Sequence, residues 1–341
     1  MQDQAAYDAN INWPKISIIT PSLNQGNFIE ETIRSVLLQN YPNLEYIIID
    51  GGSNDNTIEI IKRYESSISY WVSEPDKGQA DAINKGIKKA SGEIINWLNS
   101  DDYYEEGALF KIATAFIENP EIKCISAKER RIDAKGKFKN YSFGSYLGET
   151  LEETIITGHI DQPSTFFRSE VFKKIPSINQ NFKFCFDIDL WIRFLLEFGM
   201  SRVCCIPDIV ATFRYHKNSK TLNYISAFRK EQKNIYLSIA KQMGIIEKLC
   251  VYLKMESVPD SISAYSVEEI NRDFFIELLG NKYAKYENDK SLELREISSY
   301  YLIMGLYGKS LTVIIKVVFL DPFRWINYKF FIHILFKCLT R

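Results

Sequence analysis

The sequence predicts an α/β fold, with a mostly parallel sheet flanked by helices and a helical C-terminal extension. Short apolar runs alternate with amphipathic stretches through the first hundred residues, which is the rhythm of strands joined by covering helices. The central apolar runs are β-branched and too short for core helices, as expected of strands buried on both faces. After about residue 222 the strand signals thin out and helical periodicity dominates.

In chain order, Lys15–Thr20 and Leu44–Asp50 read as two central strands carrying Ile16, Ile18, Ile19 and Ile47, Ile48, Ile49. Ser69–Ser73 and Glu93–Leu98 read as further strands, and Phe28–Leu38, Thr57–Tyr64 and Gln79–Ala90 as the intervening helices. Asp55 or Asn56 can cap the second helix, because a short oxygen-bearing side chain satisfies free N–H groups of the first turn. Beyond Gly107 the pattern is mixed: a helix at Ala108–Glu118, a hairpin around Asp133–Gly136, a strand at Ser164–Phe167 and a helix at Ile188–Phe198. Helical periods follow at Tyr224–Met243, Glu268–Leu279 and Leu292–Ile303. The chain divides into residues 1–222 and a helical region 223–341, whose last part, about 310–341, is basic and aromatic.

With 341 residues, 46% hydrophobic and 25% charged, the chain has a globular composition, which excludes disorder, collagen-like repeats and a small disulfide scaffold. The net charge of −1 gives no global pull toward nucleic acid, and none is expected as a partner. That total hides a split: residues 1–222 carry 25 basic and 30 acidic side chains, residues 298–341 carry 6 and 1. The six cysteines lack metal-ligand spacing and read as small buried hydrophobes in a reducing compartment. Met1–Asp8 has neither a basic nor an apolar signal region, so the expected location is cytoplasmic, with the inner face of the cell membrane as an alternative.

Three acidic clusters follow strands or open helices: Asp50; Asp101 with Asp102; and Asp187 with Asp189. Carboxylates gathered at one sheet edge repel unless a cation lies between them. Hard oxygen ligands with open positions suit Mg²⁺ or Mn²⁺, which characteristically hold a nucleotide diphosphate. Each cluster alone reads equally well as a turn or a helix cap.

The ordered series Pro21-Ser-Leu-Asn-Gln-Gly, Asp50-Gly-Gly-Ser-Asn-Asp-Asn-Thr57, Glu74-Pro-Asp-Lys-Gly-Gln-Ala-Asp-Ala-Ile-Asn84, Trp97-Leu-Asn-Ser-Asp-Asp102, Gln162-Pro-Ser-Thr-Phe-Phe-Arg168 and Phe186-Asp-Ile-Asp-Leu-Trp-Ile-Arg193 resembles glycosyltransferase family 2 from about Ile16 to Thr221. The resemblance implies a GT-A fold, a Rossmann-like sheet with flanking helices, acting on a nucleotide-sugar donor with a divalent metal and inversion at the anomeric carbon. It implies that Pro21, Ser22 and Asn24 line the nucleotide, that Asp50 and Gly52 lie near the nucleobase, and that Asn99, Ser100 and Asp102 contact the nucleotide sugar. Asp101 is then the metal ligand of the family's DxD motif. His216, in Arg214-Tyr-His216, matches an element that contacts the metal or the diphosphate. Asp81 and Asn84 face the donor or form a solvated helix face. Asp187 matches the general base. The sequence departs from the family pattern at Gly51 and Asn99, where aspartates are usual, and at Phe186, where a glutamate is usual.

These residues define the expected chemistry. A sugar hydroxyl is a poor nucleophile, and a carboxylate within reach takes its proton as the bond to C1 forms. The acceptor would be a glycan or lipid-linked sugar, in polysaccharide or cell-surface glycan synthesis. The departures leave open a catalytically weakened donor-binding subunit of an assembly complex. A nucleotidyltransferase would need a Gly-rich, cationic triphosphate loop, of which Gln25-Gly26 is a poor version. Trp97, Trp191, Phe166 and Phe167 read as core, and His159 and His333 as structural. The tail mixes aromatic residues with Lys316, Arg324 and Lys329, too interrupted to span a bilayer. It suits either a helix pair in an anionic membrane interface or a hairpin packed on its own domain or on a second copy of the chain.

Overall fold

The computed structural model describes residues 11–217, 219–220, 224–245, 265 and 267–287. The expected helix at 292–303, the basic tail 310–341, and Cys250 and Cys338 lie outside the described residues. The chain opens with β1 (Ile16–Ser22), α1 (Ile29–Leu37), β2 (Leu44–Asp50), α2 (Thr57–Arg63), β3 (Tyr70–Ser73), α3 (Gln79–Lys89) and β4 (Ile94–Trp97). It continues through a two-residue β5 (Tyr103–Tyr104), α4 (Ala108–Glu118), β6 (Cys124–Asp133), β7 (Phe138–Tyr141), α5 (Leu151–Thr157), β8 (Thr165–Arg168), α6 (Val171–Lys174), α7 (Phe186–Phe198) and β9 (Val203–Tyr215). Two helices follow, α8 (Ile225–Gln242) and α9 (Arg272–Glu287).

All but β7 lie along one sheet in the order β3-β2-β1-β4-β8-β6-β9-β5, with β7 paired to β6. The first four strands are parallel, Ile16 standing beside both Leu44 and Ile94. The second half is mixed: β8 runs antiparallel to β4 and β6, whereas β6 and β9 run parallel. Strand order reverses between β1 and β4, because the chain builds outward through β2 and β3 and then returns to the other side of β1. In open α/β sheets the carboxyl ends at such a reversal frame a ligand crevice.

Both faces of the parallel half are covered. Ile47 and Ile49 join Ile19, Ile83, Trp97 and Trp191 in one buried cluster, while Ile48 joins Ile16, Ile18, Ile33 and Phe116 in the other. Alternate side chains of a strand point to opposite faces, so a continuous isoleucine run fills two cores at once. The closest layer contact falls at Gly86 of α3, where an added Cβ would lie 2.3 Å from Ile19 Cγ2. Glycine there lets α3 settle onto β1.

Trp97, Trp191, Phe166 and Phe167 are core residues, as expected. The hairpin forms where predicted, with Gly136 at φ +78° and Gly136 N–H bonded to Asp133 O. Most of β6, together with α5, β5 and α6, was not read from the sequence. β6 contains Lys128-Glu-Arg-Arg131, a charged run that looks solvated, yet it lies between β8 and β9. α5 is short, capped by Thr150, whose Oγ1 accepts the Glu153 N–H at 3.2 Å. α8 buries Ile235, Tyr236 and Ile239 in the cluster that holds Trp191 of α7. No helix among the described residues is long and apolar enough to cross a membrane.

Candidate active site

A cleft of about 870 Å³ opens at the carboxyl edge of β1 and β4. Its lining brings together Pro21 and Ser22 after β1, Asn99, Ser100 and Asp101 after β4, and Asp187 at the start of α7. Of the predicted residues, Asn24, Asp50, Gly52, Asp81, Asn84, Asp102 and His216 do not line it.

Asp101 and Asp102 are adjacent and differently placed. Asp101 Oδ2 lies 2.8 Å from His216 Nε2, and it is this aspartate that reaches the cleft. His216 is buried, its ring against Phe28 at 4.7 Å and its N–H bonded to Ser219 Oγ. Asp102 turns inward: Oδ1 accepts the Arg214 N–H at 2.9 Å and Oδ2 the Asn99 amide at 3.3 Å. Burial, with the charge of Asp101 beside it, pushes the Asp102 carboxyl well above the usual range. Arg214 ties the segment together, its guanidinium donating to Asp101 O and pairing with Glu31. Among the described residues no three His, Cys, Asp or Glu side chains gather to a metal site. Asp101 Oδ2 and His216 Nε2, in contact with each other, are an oxygen and a nitrogen of the kinds that ligate divalent cations.

Asp50 is fully buried and organises the loop after β2. Its carboxylate accepts from the Gly52 and Ser53 N–H groups and from the hydroxyls of Ser53 and Ser73. Asn24, at φ +53°, joins the loops after β1 and β2: Oδ1 accepts the Asn54 N–H, and its own N–H bonds Ser53 Oγ. Asp55 Oδ2 holds the Gly26 N–H at 3.0 Å and Oδ1 the Thr57 N–H, so it starts α2 and braces the first loop together. Ser22 Oγ is buried at the cleft edge without a hydrogen-bond partner. Gly51, where the family pattern has an aspartate, leaves room for Asp76: a Cβ there would lie 2.6 Å from Asp76 Oδ2. Asp76 lines the cleft and was not singled out by the sequence.

Asp81 and Asn84 serve α3. Asn84 exchanges both amide bonds with the backbone of Ile178, and Asp81 accepts from Lys77 N–H and Gln180. Asp189, two residues after Asp187, is buried on Arg193 and Tyr265.

Asp187 sits in the first turn of α7, and its carboxyl is held up at about 6. Partial burial is the main cause, with Glu231 adding negative charge, against bonds from the N–H groups of Ile188 and Asp187 and the proximity of His159. Glu231 of α8 also fixes where α7 begins, accepting the N–H groups of Lys183, Phe184 and Cys185 at 2.9–3.0 Å. Also lining the cleft, Lys220 Nζ donates to Gln79 Oε1 and Gln79 Nε2 to Asn99 Oδ1, which places a cation beside the Asn99–Asp101 segment. Burial lowers the Lys220 ammonium, opposed by Asp101 and neighbouring carboxylates. The far wall carries Glu129 and Arg131 of β6 with His159 and Asp161. Their sequence signal was the two-residue spacing of Glu129 and Arg131 inside a strand-length run, which puts both on one face.

The crevice at the strand-order reversal thus brings together an aspartate–histidine pair, a lysine ammonium and a carboxyl of raised pKa. Residues 17–176 match the profile described as "Glycosyl transferase family 2". Residues 17–176 are thus a glycosyltransferase family 2 domain within this chain. The chain is 29% identical to an uncharacterized glycosyltransferase of Rickettsia typhi over 245 residues, 69% of this chain and 76% of that protein. It is 31% identical over 164 residues to poly-beta-1,6-N-acetyl-D-glucosamine synthase of Staphylococcus epidermidis, covering 47% of this chain and 39% of that longer one. In structure it resembles S. aureus TarS 1-349 in complex with UDP-GlcNAc, with TM-score 0.53 and 18% identity over 88% of this chain and 81% of that one. It also resembles the mannosyltransferase PcManGT from Pyrobaculum calidifontis in complex with GDP-Man and Mn2+, with TM-score 0.50 and 15% identity over 91% and 88%. Likenesses at such identity establish the GT-A fold that the sequence predicted.

Proposed function

We propose that this glycosyltransferase inverts: it moves a sugar from a nucleotide-sugar donor to a hydroxyl of a glycan or lipid-linked acceptor in polysaccharide or cell-surface glycan synthesis. The observation that carries the reading is Asp187, whose carboxyl, held up at about 6, lines the same cleft as Asp101. A base with that affinity is ionised at neutral pH yet still takes a proton readily. The polymer-forming relative and the UDP-GlcNAc and GDP-Man complexes of structural neighbours support the donor and product class.

In the proposed reaction the acceptor O–H gives its proton to Asp187 as its oxygen bonds to C1. The bond from C1 to the diphosphate breaks, its electron pair leaving with the diphosphate, and a single displacement inverts the centre. The loops of Pro21–Ser22 and Asp50–Ser53 receive the nucleotide, with Asp76 in the place left by Gly51. Lys220 faces the leaving phosphates, and Asn99 is positioned through Gln79 to contact ribose or phosphate. Asp101 and His216 would hold Mg²⁺ or Mn²⁺, which supplies charge neutralisation to the leaving diphosphate. Asp102 acts from behind, fixing Arg214 and the Asn99 turn.

Thermal shift with UDP-, GDP- and dTDP-sugars in the presence of Mn²⁺ identifies the donor, and the product's anomeric configuration by NMR tests inversion. Retention would overturn the single displacement. The charge and aromatic content of residues 310–341 support a peripheral contact with anionic membrane. Co-sedimentation with anionic vesicles tests it, and binding unchanged on deletion of the tail removes it.

A further inference from the structure

The far wall of the cleft holds an ionisable group that the reaction above does not use. Arg131 Nε donates to Glu129 Oε1 at 2.7 Å, and its Nη2 to Asp161 Oδ1 at 3.3 Å. His159 Nε2 lies 3.4 Å from the same Asp161 oxygen. Glu129 and Asp161 are 4% and 2% exposed, and all four side chains line the cleft. The loop is fixed independently, since Asp161 N–H bonds Ser145 Oγ and Asp161 O accepts the Ser164 N–H.

Asp161 Oδ2 is buried and has no hydrogen-bond partner. An unpaired buried acceptor costs on the order of 1–3 kcal/mol, so such an atom in a cleft wall marks the place of an incoming donor. Arg131 uses two of its five N–H groups on the two carboxylates, leaving donors beside the open acceptor. A carboxylate oxygen next to guanidinium N–H groups matches adjacent hydroxyls of a sugar ring, each both donor and acceptor.

We propose that Glu129, Arg131, Asp161 and His159 form a sugar-ring subsite, in which Asp161 Oδ2 accepts from one hydroxyl of a pyranose and Arg131 donates to its neighbour. Glu129 orients the guanidinium, and His159, half-exposed at the rim, closes the ring's outer edge. The inference rests on the transferase reading. The ring belongs to the donor or to the acceptor, and one set of measurements separates them.

Dissociation constants of UDP against UDP-GlcNAc, and of GDP against GDP-mannose, are measured by calorimetry for the full chain, Asp161→Asn and His159→Ala, each checked for an unchanged melting transition. A donor-ring subsite weakens the nucleotide sugar tenfold or more in Asp161→Asn and leaves the bare nucleotide unchanged. An acceptor-ring subsite leaves both constants alone and raises KM for methyl glycosides of glucose, galactose or N-acetylglucosamine by a similar factor. If Asp161→Asn does not fold, His159→Ala, with its half-exposed side chain, carries the same comparison at a smaller factor. Folded variants that match the parent in every constant overturn the subsite while the transferase reading stands. A parent chain that binds none of the four nucleotides overturns the transferase reading, and the subsite with it.

Discussion

The two walls of the cleft are built in opposite ways. On the side of β1 and β2 the loops are laced by bonds between side chains and backbone N–H groups: Asn24 to Asn54, Ser53 to Asn24, Thr57 to Gln25 and Asp55 to Gly26. On the side of β6 and α7, ionisable side chains face one another, and burial displaces Glu129 to about 7 and Asp187 to about 6. The first wall is a preformed frame of the kind that receives a ligand with little reorganisation. The second concentrates groups whose proton affinity is shifted by burial, a pattern that clusters at functional sites. Changes to the second wall should therefore read out in rate and pH, and changes to the first in affinity and stability.

The largest expected effect is on the second wall. Asp187→Asn should lower kcat by about 10²–10⁴-fold while nucleotide affinity stays within about twofold. Measured by release of nucleoside diphosphate, an active Asp187→Asn enzyme would dissolve the distinction between the walls. In the parent, kcat/KM should rise with pH through about 6 and fall about tenfold per unit below it, because only the ionised carboxylate accepts a proton. A flat profile from pH 5 to 8 would move the base elsewhere.

The same carboxyl makes a stability prediction of opposite sense. Asp187 is raised from 3.8 to about 6, so the unfolded chain ionises first and the folded state is disfavoured as pH rises through that interval. Asp187→Asn should thus be more stable than the parent above pH 6, by up to about 3 kcal/mol at roughly 1.4 kcal/mol per unit. The difference should vanish below pH 4, as chemical denaturation at the two pH values would show. The smallest effect belongs to the frame. Asp55→Ala removes the acceptor for Gly26 and Thr57 N–H groups and should cost about 1 kcal/mol of stability, with weaker nucleotide binding and an unchanged kcat. A loss confined to kcat would contradict the frame's role.

The parallel half was legible because its signals are local: β-branched runs at Ile47–Ile49, polar turns after them, and the Asp50 and Asp101 motifs at strand ends. The second wall was not. Lys128–Arg131 looks like a surface run until β8 and β9 enclose it, and Glu231, which sets the start of α7, acts across 46 residues of chain from Cys185. His159 read as structural, yet the loop after α5 brings it to the cleft with Asp161. Asn84 and Asp81 showed the reverse, motif residues whose bonds go to the 178–180 segment.

The sequence by itself determined the α/β class and the ordered motifs that carry Asp50, Asp101 and Asp187, since hydrophobic period and motif order are properties of neighbours along the chain. Only the tertiary structure decided which of two adjacent aspartates meets the cleft, how far the Asp187 carboxyl is raised and which charged residues oppose it. Those follow from burial and from charges brought near by distant segments, and both arise only once the chain is packed.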